Sequence, residues 1–303
     1  AYVDGSNRIY ITSGLIENCR DYVALLSVIA HEIGHIDKNH IKQRKFNIDK
    51  IKNINNLTNF SIIAGSLISN NPEVLKGLAL NSATTSDFYI NFSKDQEREA
   101  DYYAIETLNK LNLYSNSIIE LLKTIEKKNI DKGLTAEKLK VGTHPYFDER
   151  IEIINYLNKN NDSKYNINTN IKFQYIRAKF LGYSGNHEEI KKIDKPYQTY
   201  AISILNAKDG MLKNSMLELN KLIKNNHKDI FLLETKADIL FSYGYINESV
   251  KFYEIVTDKL PENFYAQIRI FENIDKNELS ISESKKLFIK NLILLENFYN
   301  NKN

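Results

Sequence analysis

Tryptophan is absent from these 303 residues, cysteine occurs once and proline four times. The lone Cys19 excludes an intrachain disulfide. Four prolines and eleven glycines leave little turn chemistry for a chain this long, and Lys, Asn, Ile, Leu and Glu recur at helical rather than alternating spacing. An excess of one charge sign is also missing: 41 Lys and Arg stand interspersed among 38 Asp and Glu. That balance excludes the electrostatic footprint of a nucleic-acid binder. Long apolar runs are lacking too, since the best of them, residues 60–68, is broken by Ser61, Gly65 and Ser66. A membrane-spanning helix needs roughly 18 or more. The chain begins at Ala1, so its compartment is not readable directly.

What remains, 42% hydrophobic and 26% charged residues, describes a mainly α globular chain long enough for two domains. Residues 8–12, Arg-Ile-Tyr-Ile-Thr, form the one β-branched and aromatic run and predict a short strand. A long helix is expected from about Asp21 to Lys45, and a second from near Ser93, where Ser93 and Gln96 have capping-box spacing. Two short apolar segments, 60–68 and 74–80, lie between them. A turn at 142–145 and a helix to about Leu157 follow, and the polar run 158–170 reads as a linker. The expected domains are therefore 1–158 and 159–303.

Within the first helix stands His31-Glu32-Ile33-Gly34-His35. Four residues at 100° each place both imidazoles on one face, a turn apart, where they can share a zinc ion. Glu32 lies about 100° round the helix, off the ligand face and suited to act as general base on a water. The histidines continue the stripe Ala24, Val28, His31, His35, which argues against two solvated surface histidines.

A catalytic zinc usually takes a third protein ligand. His40 follows His35 by five residues with no glycine between, which does not fit the metzincin spacing; it reads as an exposed polar residue late in the helix. Glu97 and Asp101 instead head a stripe with Ala104, Leu108 and Leu111. Zinc on Glu97, and a zinc histidine donating its other N–H to Asp101, would satisfy both buried acids. Glu99 reads as a solvated charge, and Cys19 as a small buried thiol.

Beyond the linker a period of 34 aligns Ser203 with Ala237, Gly210 with Gly244, Leu212 with Ile246, Leu219 with Tyr253 and Leu222 with Val256. The order of small residue, turn glycine and apolar face predicts helical hairpins and resembles a degenerate tetratricopeptide array.

The residues 27–35, 93–101 and Thr143-His144-Pro145 with Arg150 resemble those of the zinc endopeptidases of the CAAX prenyl protease and HtpX superfamily, within it the BepA-like periplasmic peptidases with tetratricopeptide repeats. The resemblance implies a gluzincin-type peptidase domain with a small β element and then a helical repeat domain. It implies zinc on His31, His35 and Glu97, Glu32 as catalytic base and Asp101 behind His31. It further implies a mobile loop carrying His144 at the site, able to cap the zinc in a resting state, with Arg150 close by; His144 or Arg150 is the expected oxyanion donor. A periplasmic setting, envelope protein quality control, protein or peptide substrates and a partner on the repeats are implied likewise; contact with a membrane surface stays open. Strand 8–12 would offer an edge to an extended substrate. The rival expectation is a chaperone-like or scaffold module whose zinc site is closed; a purely structural zinc fits the two-His-one-Glu set poorly.

Overall fold

The computed structural model describes residues 1–43, 83–131, 147–157, 164–226 and 229–272. The fold is mainly helical, and the chain divides into two compact units, Ala1–Phe173 and Gln174–Asn303.

The first unit opens with a two-stranded antiparallel ribbon. β1 (Tyr2–Val3) pairs with β2 (Ile9–Tyr10), Tyr2 opposite Tyr10, whose rings stack at 4.8 Å. The strand expected at 8–12 is thus shorter, because Thr12 instead caps helix α1 (Ser13–Asn18), its hydroxyl accepting the Leu15 N–H at 3.2 Å. Helix α2 (Tyr22–Asp37) starts at Asp21, which accepts the Ala24 N–H at 2.9 Å and the Ser117 hydroxyl at 2.7 Å. One carboxylate therefore both caps the helix and ties its start to the next layer.

The unbroken helix expected to Lys45 is interrupted. Lys38 and Asn39 donate back to Gly34 and Ile36, Asn39 takes a φ of 55°, and helical backbone resumes at His40. Asparagine tolerates this left-handed conformation better than most residues, and a single such residue redirects the chain.

Helix α3 (Ala83–Lys110) starts ten residues earlier than the capping-box spacing predicts. Ser93 and Gln96 lie inside it, so no cap forms there; the buried Gln96 amide donates to the His40 carbonyl at 3.3 Å and the Gln43 side chain at 3.4 Å. The Gln96 side chain is thus spent on tertiary partners rather than on a helix start. Gly34 sets how closely α2 and α3 pack: a Cβ there would stand 3.0 Å from the Tyr103 Cβ and 3.1 Å from the Ala100 Cα. A side chain at this position would press the two helices apart by a few tenths of an ångström.

Helices α4 (Asn116–Asp131) and α5 (Phe147–Leu157) close the core, in which Val23, Ile105, Leu108, Ile118, Leu122 and Ile154 pack together. Fully burying each such side chain stabilises by about 1.5–3 kcal/mol. Residues 164–173 belong to the same unit. Lys164 N–H donates to the Asn112 carbonyl at 2.7 Å, Asn166 N–H to the Tyr22 hydroxyl at 2.9 Å, and Phe173 packs with Leu15, Cys19, Ala24 and Leu121. The division between units falls within helix α6 (Ile167–Ser184).

The second unit continues with the short α7 (His187–Ile190), then α8 (Lys195–Lys208), α9 (Leu212–Asn225), α10 (Ile230–Ser242), α11 (Ile246–Lys259) and α12 (Phe264–Glu272). Helix α8 packs chiefly on α9, and α10 on α11. The spacing of 34 recurs in the backbone: α9 and α11 begin at Leu212 and Ile246, α10 and α12 at Ile230 and Phe264. Gly210 and Gly244 share a φ of 82°, left-handed turns that a side chain would strain. The aligned Leu219 and Tyr253 are fully buried, as are Ser203 and Ala237. Among the described residues no helix is long and apolar enough to cross a membrane.

Candidate metal centre

Helices α2 and α3 bring one stripe each to a common buried place. His31 is 2% exposed, His35 5% and Glu97 2%. The His31 Nε2 lies 3.1 Å from the His35 Nε2 and 3.3 Å from one Glu97 oxygen, and the His35 Nε2 lies 3.3 Å from the other. Two imidazole nitrogens and a carboxylate thus converge within the reach of one cation. The donors of a tetrahedral zinc, bound at about 2.0–2.1 Å, stand about 3.3–3.4 Å apart, so this set fits the ion in spacing as well as in chemistry.

Asp101, one turn after Glu97, accepts from His31 Nδ1 at 2.9 Å. With its Nδ1 proton committed to that carboxylate, the neutral His31 ring has its Nε2 lone pair open to a metal ion. Arg150, on α5, grips the same carboxylate through Nε at 2.8 Å and a terminal nitrogen at 2.7 Å. Burial opposes the charge on Asp101, but the Arg150 guanidinium and the His31 contact hold its pKa down at about 2. Arg150 is pushed the other way: burial alone would lower its pKa, but Asp101 and then Glu97 raise it above the usual range. For His31, burial and Arg150 favour the neutral ring, yet its hydrogen bonds to Asp101 and Glu97 outweigh them and take the metal-free imidazole up to about 9. A proton is then the metal's competitor for this nitrogen.

Glu32 is 2% exposed, beside His31 in sequence and off the stripe that carries the two histidines. Arg98 and Lys94 of α3 pair with Glu149 of α5, the residue before Arg150, and so anchor the helix that delivers Arg150 to Asp101. The predicted stripe on α3 is buried at Glu97, Asp101, Ala104 and Leu108, whereas Leu111, past the helix end, is 48% exposed.

His40 corrects the sequence reading. It is fully buried rather than exposed, with its Nδ1 2.8 Å from the His35 Nδ1 and its Nε2 2.9 Å from a Glu99 oxygen. It lies behind His35, outside the group of converging ligand atoms. Glu99, read as merely solvated, keeps 56% of its side chain exposed while holding this bond. On an unbroken helix five residues turn about 140°, which would carry His40 away from His35; the turn at Asn39 returns it. Asn39 itself, a residue suited to left-handed backbone, was the one available signal. Cys19 is a fully buried thiol at the end of α1. His144, the 142–145 turn and the apolar segments 60–68 and 74–80 lie outside the described residues.

An HExxH helix set against a second helix that supplies an acid defines a metallopeptidase-type centre. The sequence profile of peptidase family M48 matches residues 1–158, just over half of the chain, and the chain belongs to that family. Its first unit is accordingly a metallopeptidase unit, with proteins or peptides as the class of substrate. A comparison with curated proteins found no match.

Proposed function

We propose that the chain is a zinc-dependent endopeptidase whose metal is held by His31, His35 and Glu97. The observation that carries this reading is the convergence of their three ligand atoms at separations of 3.1 to 3.3 Å in a buried place. When bound, zinc supplies a Lewis acid for the scissile carbonyl and acidifies a water. Glu32 accepts the proton of that water and passes it to the leaving amine. Asp101 fixes the ring of His31, and Arg150 holds Asp101 in the ionised form that this requires. Two of the three Arg150 nitrogens are engaged by Asp101, and the third stands 3.9 Å from Glu97, so Arg150 acts here as a positioning residue. His144 belongs to the same reading, as a cap over the zinc or as oxyanion donor.

The peptidase domain, a gluzincin-type arrangement with a small β element, comprises residues 1–158 in this proposal. Residues 159–303 form a tetratricopeptide-like repeat domain that binds a client or partner protein, in a periplasmic, envelope quality-control setting. The 34-residue recurrence of helix starts and of the paired glycines supports the repeat reading. Metal analysis of the purified chain tests the centre. Zinc near one per chain is expected, falling far below that in His35→Ala and Glu97→Ala; undiminished zinc in both variants would remove the assignment.

A further inference from the structure

Asp101 accounts for the outer nitrogen of His31, and nothing in the peptidase reading accounts for that of His35. Its Nδ1 is 2.8 Å from the Nδ1 of His40, whose Nε2 is 2.9 Å from a Glu99 carboxylate oxygen. An ionised carboxylate only accepts hydrogen bonds, so the His40 Nε2 carries a proton. In the tautomer that donates from Nε2 to Glu99, the His40 Nδ1 is an acceptor, and the 2.8 Å contact then fits a His35 that donates from its Nδ1. That pairing of tautomers leaves the His35 Nε2, which lies beside the His31 Nε2 and Glu97, as the lone-pair nitrogen.

We propose that His40 and Glu99 are positioning residues for the metal site: a chain of bonds from Glu99 through His40 fixes the tautomer and ring orientation of His35, as Asp101 does for His31. The inference rests on the zinc reading. The fold builds this arm deliberately. The left-handed Asn39 turns the chain back, Gln96 of α3 holds the His40 carbonyl at 3.3 Å, and His40 is fully buried although no ligand atom of it joins the metal group. Glu99 follows Glu97 by two residues, about 200° round α3, so its carboxylate points away from the ligand face and reaches His35 only through the intervening imidazole.

Two measurements on the full chain test it. In metal-free protein with 15N-labelled histidine, long-range 1H–15N correlation should show His35 protonated on Nδ1 and His40 on Nε2. Competition with a chelator should show zinc bound about 10–100-fold more weakly by His40→Leu, with most of the loss recovered in His40→Gln, whose carbonyl accepts from His35 while its amide donates to Glu99. Glu99→Ala, at a half-exposed position that tolerates truncation, should weaken zinc in the same direction and serves if His40→Leu does not fold. A His35 protonated on Nε2, or zinc affinity within twofold of wild type in folded His40→Leu or in Glu99→Ala, overturns the proposal. Failure of the wild type itself to bind zinc would overturn the peptidase reading instead, and the His35 tautomer would still decide whether the arm exists.

Discussion

Arg150 and Asp101 form a two-bond fork, Nε to Oδ2 at 2.8 Å and NH2 to Oδ1 at 2.7 Å, with both side chains almost fully buried. Removing one partner of such a pair leaves the other as an unmatched buried charge. Arg150→Met should therefore lower unfolding stability by about 3 kcal/mol in denaturant titrations. A loss under about 1 kcal/mol would mean that His31 suffices to hold Asp101.

Glu32→Gln keeps the shape of the side chain and removes its ability to take a proton. Zinc content should stay at the wild-type level while cleavage of a casein substrate falls by about 10²–10⁴-fold. An active Gln variant would remove Glu32 as the base.

Gly34→Val tests the contact between the two helices that carry the proposed ligands. Its side chain would meet the Tyr103 Cβ, at 3.0 Å from the position of Cβ, and the Ala100 backbone at 3.1 Å. Because backbone cannot rotate away, α2 and α3 must separate, at a cost of about 1–3 kcal/mol. Zinc affinity should fall with stability, since His35 and Glu97 lie on the two helices being parted.

Phe173 is 4% exposed and packs on α1, α2 and α4, although it follows the proposed peptidase domain by fifteen residues. Phe173→Ala in the full chain should lower the stability of the first unit by about 3 kcal/mol. A fragment of residues 1–158 should still bind zinc but unfold more readily than the whole chain. If that fragment neither folds nor takes metal, the peptidase domain extends through Phe173.

Asp4 accepts from the backbone N–H groups of Ser6 and Arg8 and from the Arg8 and Tyr10 side chains, within the ribbon turn. These bonds, led by the Arg8 N–H, lower its pKa to about 2. The ionised form is thus favoured by the folded turn, whose added stability is complete above about pH 4 and lost as pH falls through 2. A carboxyl 13C titration should give a midpoint near 2; one near 3.8 would show the turn to be unformed in solution.

Local chemistry made much of the centre legible from residue order alone. A helix repeats every 3.6 residues, so His31 with His35, and Glu97 with Asp101, had to share faces whatever those helices packed against. The mainly helical character and the 34-residue recurrence are local in the same sense, carried by spacing and by the glycines at 210 and 244. Other features depend on neighbours remote in sequence. Ser93 and Gln96 carry a helix-start pattern, yet the helix begins at Ala83 and Gln96 lies within it, bonded to residues 40 and 43. His40 looks like a surface residue until one left-handed residue, Asn39, folds it behind His35 and Glu99 meets it from α3. Arg150 finds Asp101 across 49 residues. Periodicity determines which side chains share a face; only the close packing that Gly34 permits decides which faces meet, because that contact is set by the shape of both helices together.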